Sequence, residues 1–290
     1  MIDYPKSKWF PLLMSWKGTV LPRILLRVLV LVWIAVGVVW WNKNYYRIDE
    51  LDQLAHTVLG VPLGLLLVFR TNSAYDRFWE GRKRWGGLVN ASRNLVRSAT
   101  SYAGQADELY PLVAAYVVSL RQHLRREPSI PSLEGMLPDH LMKRLEGQSN
   151  PPMIIAQWMS DWVVQEVKSG KLNPDLARAL ESYIGEMLDH QGACERILKT
   201  PVPFAYVAHI RQLLSLYLAT LPFVLVHRMD WLTVPAVFLI SFGLLGIEDI
   251  GVEIEDPFGT DPNDLPLEGL CETIGANVKT LAEQVRVRAA

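Results

Sequence analysis

Seven carboxylates fall within seventeen residues between Glu248 and Asp264, in the run EDIGVEIEDPFGTDPND. So dense a cluster repels itself, and three things relieve it: solvent, arginines from elsewhere in the chain, or a hard cation. Ca²⁺ takes six to eight oxygens from carboxylates and backbone carbonyls, and this segment is rich in both. Pro257, Gly259 and Pro262 force a turn that directs carbonyls and the side chains of Asp261 and Asp264 inward. The spacing is not that of an EF-hand, and a solvated acidic turn accounts for the same residues. No Lys or Arg occurs between Arg228 and Lys279, so the local sequence supplies no counter-charge.

A second constellation is apolar. Val61, Leu65 and Phe69 are spaced four apart, which stacks their side chains on one face of a helix. Copies of this face around an axis form a hydrophobic constriction of the kind that gates ions by dewetting. An ordinary packed helix face accounts for the spacing equally well. Directly after it, RTNSAYDRFWEGRKRW (Arg70–Trp85) mixes aromatics with both signs of charge and reads either as a solvated face or as an anion-attracting vestibule.

Other chemistries find little support. Work on lipid phosphates with a divalent metal needs two facing aspartate-rich motifs, and only one is present. The six histidines lack metal or triad spacing, and there is no Walker loop, nucleophile elbow or dinucleotide fingerprint. A net charge of −1 gives no basis for binding nucleic acid. Cys194 and Cys271 have neither CxxC nor zinc spacing and are expected as buried thiols. A non-conducting helical scaffold is the remaining alternative.

The elements that must position these residues are membrane helices. Crossing a hydrocarbon core of ~30 Å takes ~20 residues. Ile24–Trp41 supplies eighteen with one charge, Arg27, near its start, and Trp231–Ile247 supplies seventeen with none. Trp40 and Trp41, where a cleavable signal would have small residues, mark the first run as retained. Leu54–Phe69 and Leu213–Val226 are shorter, but each sits one short polar loop from a strong span, giving hairpins 24–69 and 213–247. Trp40, Trp41, Tyr45, Tyr46 and Trp231 suit the interfacial aromatic belt. Lys17, Arg23 and Arg27 before the first span, and the basic cluster Arg70–Arg84 after the second, place both termini and the middle of the chain in the cytoplasm.

That middle reads as helices. Asn150-Pro151 and Asn173-Pro174 each put an N-cap before a first-turn proline, and Gly170 stops the helix between them. Ile154, Ile155, Trp158, Trp162 and Val163 form its apolar face. A helix is expected from about Ser73 past Arg97, another from about Leu109 to Arg126, and no strands.

Four segments, KWFPLLMSWKGTVLPRILLR, LGVPLGLLLVFRTNSAYDRFWEGRKRWGGLVN, CERILKTPVPFAY and EIEDPFGTDPNDLPL, resemble those of bacterial members of the bestrophin family, and the resemblance covers nearly the whole chain. It implies an all-α membrane protein with four transmembrane helices in two hairpins, a large cytoplasmic helical bundle, and a homopentamer around a central pore. The chain then divides into the N-terminal segment with the first hairpin (1–69), a cytoplasmic helical region (70–210), the second hairpin (211–247) and the acidic turn with a C-terminal helix (248–290). The expected function is a channel for small monovalent ions, chloride by the family's description or monovalent cations by analogy with bacterial members, in a bacterial inner membrane.

On this resemblance Val61, Leu65 and Phe69 match the pore neck. The family's calcium clasp maps onto the backbone oxygens of Glu253 and Asp256 and the carboxylates of Asp261 and Asp264. Pro262 and Asn263 interrupt what is an unbroken acidic run in animal members. Counting back from CER places the cytosolic aperture near Asp175, where relatives carry an apolar residue and a ring of carboxylates would favour cations.

Overall fold

The computed structural model describes residues 10, 14–48, 51–127 and 130–289. Lys8, Trp9 and Pro11–Leu13 of the first signature lie outside the described residues. Among the described residues there are nine α-helices, two short 3₁₀ turns and no strand. The α-helices are α1 (Leu21–Asn44), α2 (Gln53–Ala103), α3 (Leu109–Arg125), α4 (Asp139–Leu145), α5 (Pro151–Lys168), α6 (Pro174–Lys199), α7 (Phe204–Met229), α8 (Thr233–Glu253) and α9 (Leu267–Ala289).

Among the described residues three helical stretches are long and apolar enough to cross a membrane: α1, α2, and Phe204–Glu253, which holds α7, the 3₁₀ turn Asp230–Leu232 and α8. Two of the helices are longer than hydropathy alone indicates. α2 runs on for 51 residues, so the expected span and the expected helix after Ser73 belong to one continuous helix. Nothing between Phe69 and Ser73 breaks a helix, and hydropathy falls there only because polar side chains begin. α7 starts nine residues before Leu213, because His209 and Arg211 interrupt the apolar run without interrupting the helix.

The chain forms two compact units. The first comprises 1–78, 201–256 and 261–263. Its larger apolar cluster is contributed by four helices: Ile24, Val28 and Ala35 of α1, Leu63 and Leu67 of α2, Ile210, Leu214, Leu218 and Leu221 of α7, and Val237 and Leu245 of α8. α2 passes α7 closely at Gly60, where an added Cβ would stand 3.1 Å from the Tyr217 hydroxyl. One turn earlier the His56 ring stacks on Tyr217 with centroids 4.0 Å apart. Trp40 and Trp41 each pack on Tyr45, at 5.3 and 5.0 Å, an aromatic knot at the end of α1.

The second unit comprises 79–200, 257–260 and 264–290. α3 is its central helix and packs against α5 and α9, while α5 packs against α6. The caps read from the sequence are made: Asn150 Oδ1 accepts from Met153 N, Asn173 Oδ1 accepts from Asp175 N at 2.8 Å, and both prolines open their helices. α5 ends at Lys168 with Gly170 at φ +78°, a conformation that costs glycine nothing. Gly87 of α2 is required by packing, since a Cβ there would lie 2.2 Å from His190 Nε2 of α6.

The CER signature acquires a structural reason. Glu195 Oε1 accepts from Asn150 Nδ2 at 3.1 Å and from Gln191 Nε2 at 2.8 Å, tying α6 to the capping residue of α5. Cys194 and Cys271 are free and buried, and burial pushes both thiols up to about 12.

Candidate functional site

The first half of α2 has two unlike faces. Leu63 and Leu67 are buried in the core of the first unit, whereas Val61, Leu65 and Phe69 remain 63%, 53% and 59% exposed. Leu54 and Val58 extend the exposed row by two more turns. Helical periodicity produces this division: positions 63, 67 and 70 turn inward while 54, 58, 61, 65 and 69 turn outward. The three expected neck residues therefore share an outward face that no core residue of their own unit covers. Past Phe69 the exposed positions of α2 turn polar and aromatic, with Asn72, Asp76, Trp79 and Lys83 following at helical spacing.

One residue beyond Phe69, Arg70 turns the other way and is only 2% exposed. Its Nη1 donates to Glu248 Oε1 at 2.6 Å and its Nη2 lies 3.9 Å from Glu255 Oε2. Glu248, equally buried, also accepts from Arg211 Nε at 2.8 Å. A buried carboxylate shared by two guanidinium groups thus joins α2, α7 and α8 immediately below the apolar row. Glu255 Oε1 accepts from Val202 N and its carbonyl accepts from Arg77 Nε, at 3.2 and 3.1 Å, so the chain leaving α8 is held as well.

The rest of the acidic turn is treated the same way. Arg23 of α1 lies within 4.0 Å of carboxylate oxygens of Asp249, Glu253 and Asp261, and Arg27 lies 3.9 Å from Asp249. Asn263 Nδ2 donates to Glu253 Oε1 at 2.8 Å. Asp256, Asp261 and Asp264 each have further interactions. Among the described residues no three His, Cys, Asp or Glu side chains converge to hold a metal ion. Of the residues expected to hold calcium, Glu253, named for its backbone oxygen, and Asp261 each place a carboxylate near Arg23, at 3.5 and 3.3 Å, and Asp264 is buried. A divalent ion would need several of these oxygens at 2.3–2.6 Å from one point.

Asp175 stands at the start of α6, with its side chain 83% exposed and 3.5 Å from Arg178. An i,i+3 arginine on an exposed helix start takes up part of that charge locally.

Reading the sequence missed Arg70, Arg77 and Arg211 as partners of the acidic turn, and treated Arg23 only as an orientation signal. The one local hint was Arg70 itself, a charge placed directly at the end of an apolar run where a helix continues.

Comparison with known proteins follows the same outline. Residues 1–280 match the family described as bacterial/fungal bestrophin protein. The chain is 42% identical over 287 residues to a voltage-dependent anion channel-forming protein of Synechocystis, covering 95% of this chain and 92% of that one. It is 30% identical to the voltage-dependent anion channel-forming protein YneE of Escherichia coli K12, covering 100% and 96%. The crystal structure of a bacterial bestrophin homologue from Klebsiella pneumoniae superposes with a TM-score of 0.84 at 28% identity, over 89% of this chain and 98% of that one.

Proposed function

Since the chain belongs to the bacterial and fungal bestrophin family, we propose that it is an ion channel: a homopentamer in which the outward row of α2 faces a central pore and passes small monovalent ions, anions first, across the inner membrane. The observation that carries this reading is the exposure of Val61, Leu65 and Phe69 on the face of α2 opposite its buried side. A continuous apolar row at the surface of a folded unit needs either lipid or other copies of itself against it. Around a fivefold axis it becomes three stacked apolar rings, which conduct when wet and close when dry.

Four membrane crossings follow from α1, the apolar start of α2, α7 and α8, and the basic residues at the entry of α1 and the exit of the α2 crossing put both termini in the cytoplasm. The apolar rings select by size and hydration rather than by sign. The names of the relatives favour anions, and the exposed Asp175, as a ring of five at a cytosolic aperture, favours cations.

Purified protein in planar bilayers is expected to conduct, with a reversal potential under asymmetric KCl near the chloride equilibrium potential. Reversal near the potassium potential assigns cation conduction instead. Leu65→Ala is expected to raise conductance or abolish closure. Unchanged conductance and gating in that variant would remove the row from the pore.

A further inference from the structure

The acidic turn has an occupant that belongs to the chain itself. Arg23, in the first turn of α1, places Nη1 3.5 Å from Glu253 Oε2 and 4.0 Å from Asp249 Oδ2, and Nη2 3.3 Å from Asp261 Oδ1. Asn263 closes the arrangement from the other side, its Nδ2 donating to Glu253 Oε1 at 2.8 Å and to the carbonyl of Gly18, just before α1, at 2.9 Å. All of these residues lie in the first unit.

We propose that Arg23 is the resident cation of the acidic turn, so that α1 is fastened to the base of α8 by a guanidinium and without any bound metal. Size is the first reason. A guanidinium is planar, carries five donors and bridges carboxylates that lie too far apart to meet on one small ion. Burial is the second, because the side chains of Asp249 and Glu253 are only 7% and 6% exposed and need a fixed counter-charge rather than solvent.

The third reason is Asn263. Its side-chain amide nitrogen donates to Glu253 and to the Gly18 carbonyl at once. An N–H donor aimed at Glu253 cannot ligate a hard cation, whereas it gives a latch closed by an arginine a second strut. A guanidinium is part of the chain, so this fastening does not follow the concentration of a divalent ion. A bound ion would instead stabilise in proportion to the logarithm of its concentration.

The test is thermal unfolding of the full chain in detergent, in chelator and in millimolar CaCl₂, a readout independent of whether the protein conducts. The wild type is expected to melt at the same temperature in both. Arg23→Gln is expected to melt lower by about 5 °C, and Arg23→Lys in between. Adding Glu253→Gln to Arg23→Gln should then cost little more, because the partner is already lost. A wild-type melting point that falls in chelator, or an Arg23→Gln protein as stable as the wild type, overturns the proposal. Should Arg23→Gln fail to fold, the wild-type comparison alone still decides between guanidinium and metal.

Discussion

The apolar row of α2 and the acidic turn after α8 lie in one chain and are completed in opposite ways. The row leaves Val61, Leu65 and Phe69 more than half exposed, with no residue of the same unit's core against them. The turn has arginines of the same chain beside its buried carboxylates Glu248, Asp249 and Glu253: Arg70 and Arg211 at Glu248, Arg27 at Asp249 and Arg23 at Glu253. Charge and burial account for the difference. A buried carboxylate without a partner is costly, so its partner must be present when the protomer folds. An exposed apolar row is tolerable until other copies or lipid cover it, so its meaning can wait for assembly.

That contrast breaks most sharply at Glu248. Glu248→Gln leaves the buried Arg70 with the backbone carbonyl of residue 248 at 3.3 Å and only the Glu255 carboxylate, at 3.9 Å, as a negative partner, a loss of about 3–5 kcal/mol and a melting point lower by about 10 °C. A melting point within 2 °C of wild type, ~1 kcal/mol or less, would mean the network is not what fixes α2 to α7 and α8. Leu65→Ala is the converse experiment: conductance changes by severalfold while the melting point of the solubilised protomer barely moves, since the side chain is already exposed. Parallel loss of stability and conductance would instead place Leu65 in a packed core.

Smaller effects separate surface charge from buried charge. The hydrogen bond from Arg125 holds the Glu268 carboxyl below its ordinary value of 4.5. A depressed folded value means that this pair stabilises above pH ~4.5 and that the contribution disappears as pH falls through the lower folded value. Glu268→Gln should therefore lower the melting point at pH 7 by about 1–2 °C and by less at pH 3, a small effect because the side chain is half exposed. An equal difference at both pH values would trace it to packing rather than charge. Smallest is Asp175→Asn, whose carboxylate is exposed and partly met by Arg178; the cation-to-anion permeability ratio should move by about twofold or less. A larger change would make Asp175 the dominant selectivity element.

Where the information is local, the sequence is sufficient. The caps at Asn150 and Asn173, the stop at Gly170 and the stacked row Val61, Leu65 and Phe69 all depend on residues within four positions, and helical geometry translates such spacing into faces and ends without further help. The apolar runs likewise mark the helices fit for a membrane, although hydropathy put the ends of α2 and α7 at the first charges while the helices continue.

What only the tertiary structure decided is where each charge is answered. Arg70 and Glu248 are 178 residues apart, and Arg23 comes to Asp249, Glu253 and Asp261 only because α1 packs along α8. From the sequence the acidic turn had three possible counter-charges, solvent, arginine or metal, and local pattern could not choose among them. Helix packing brings the arginines to it, since an electrostatic partner is defined by distance in space, and no spacing along the chain encodes which helices will lie side by side.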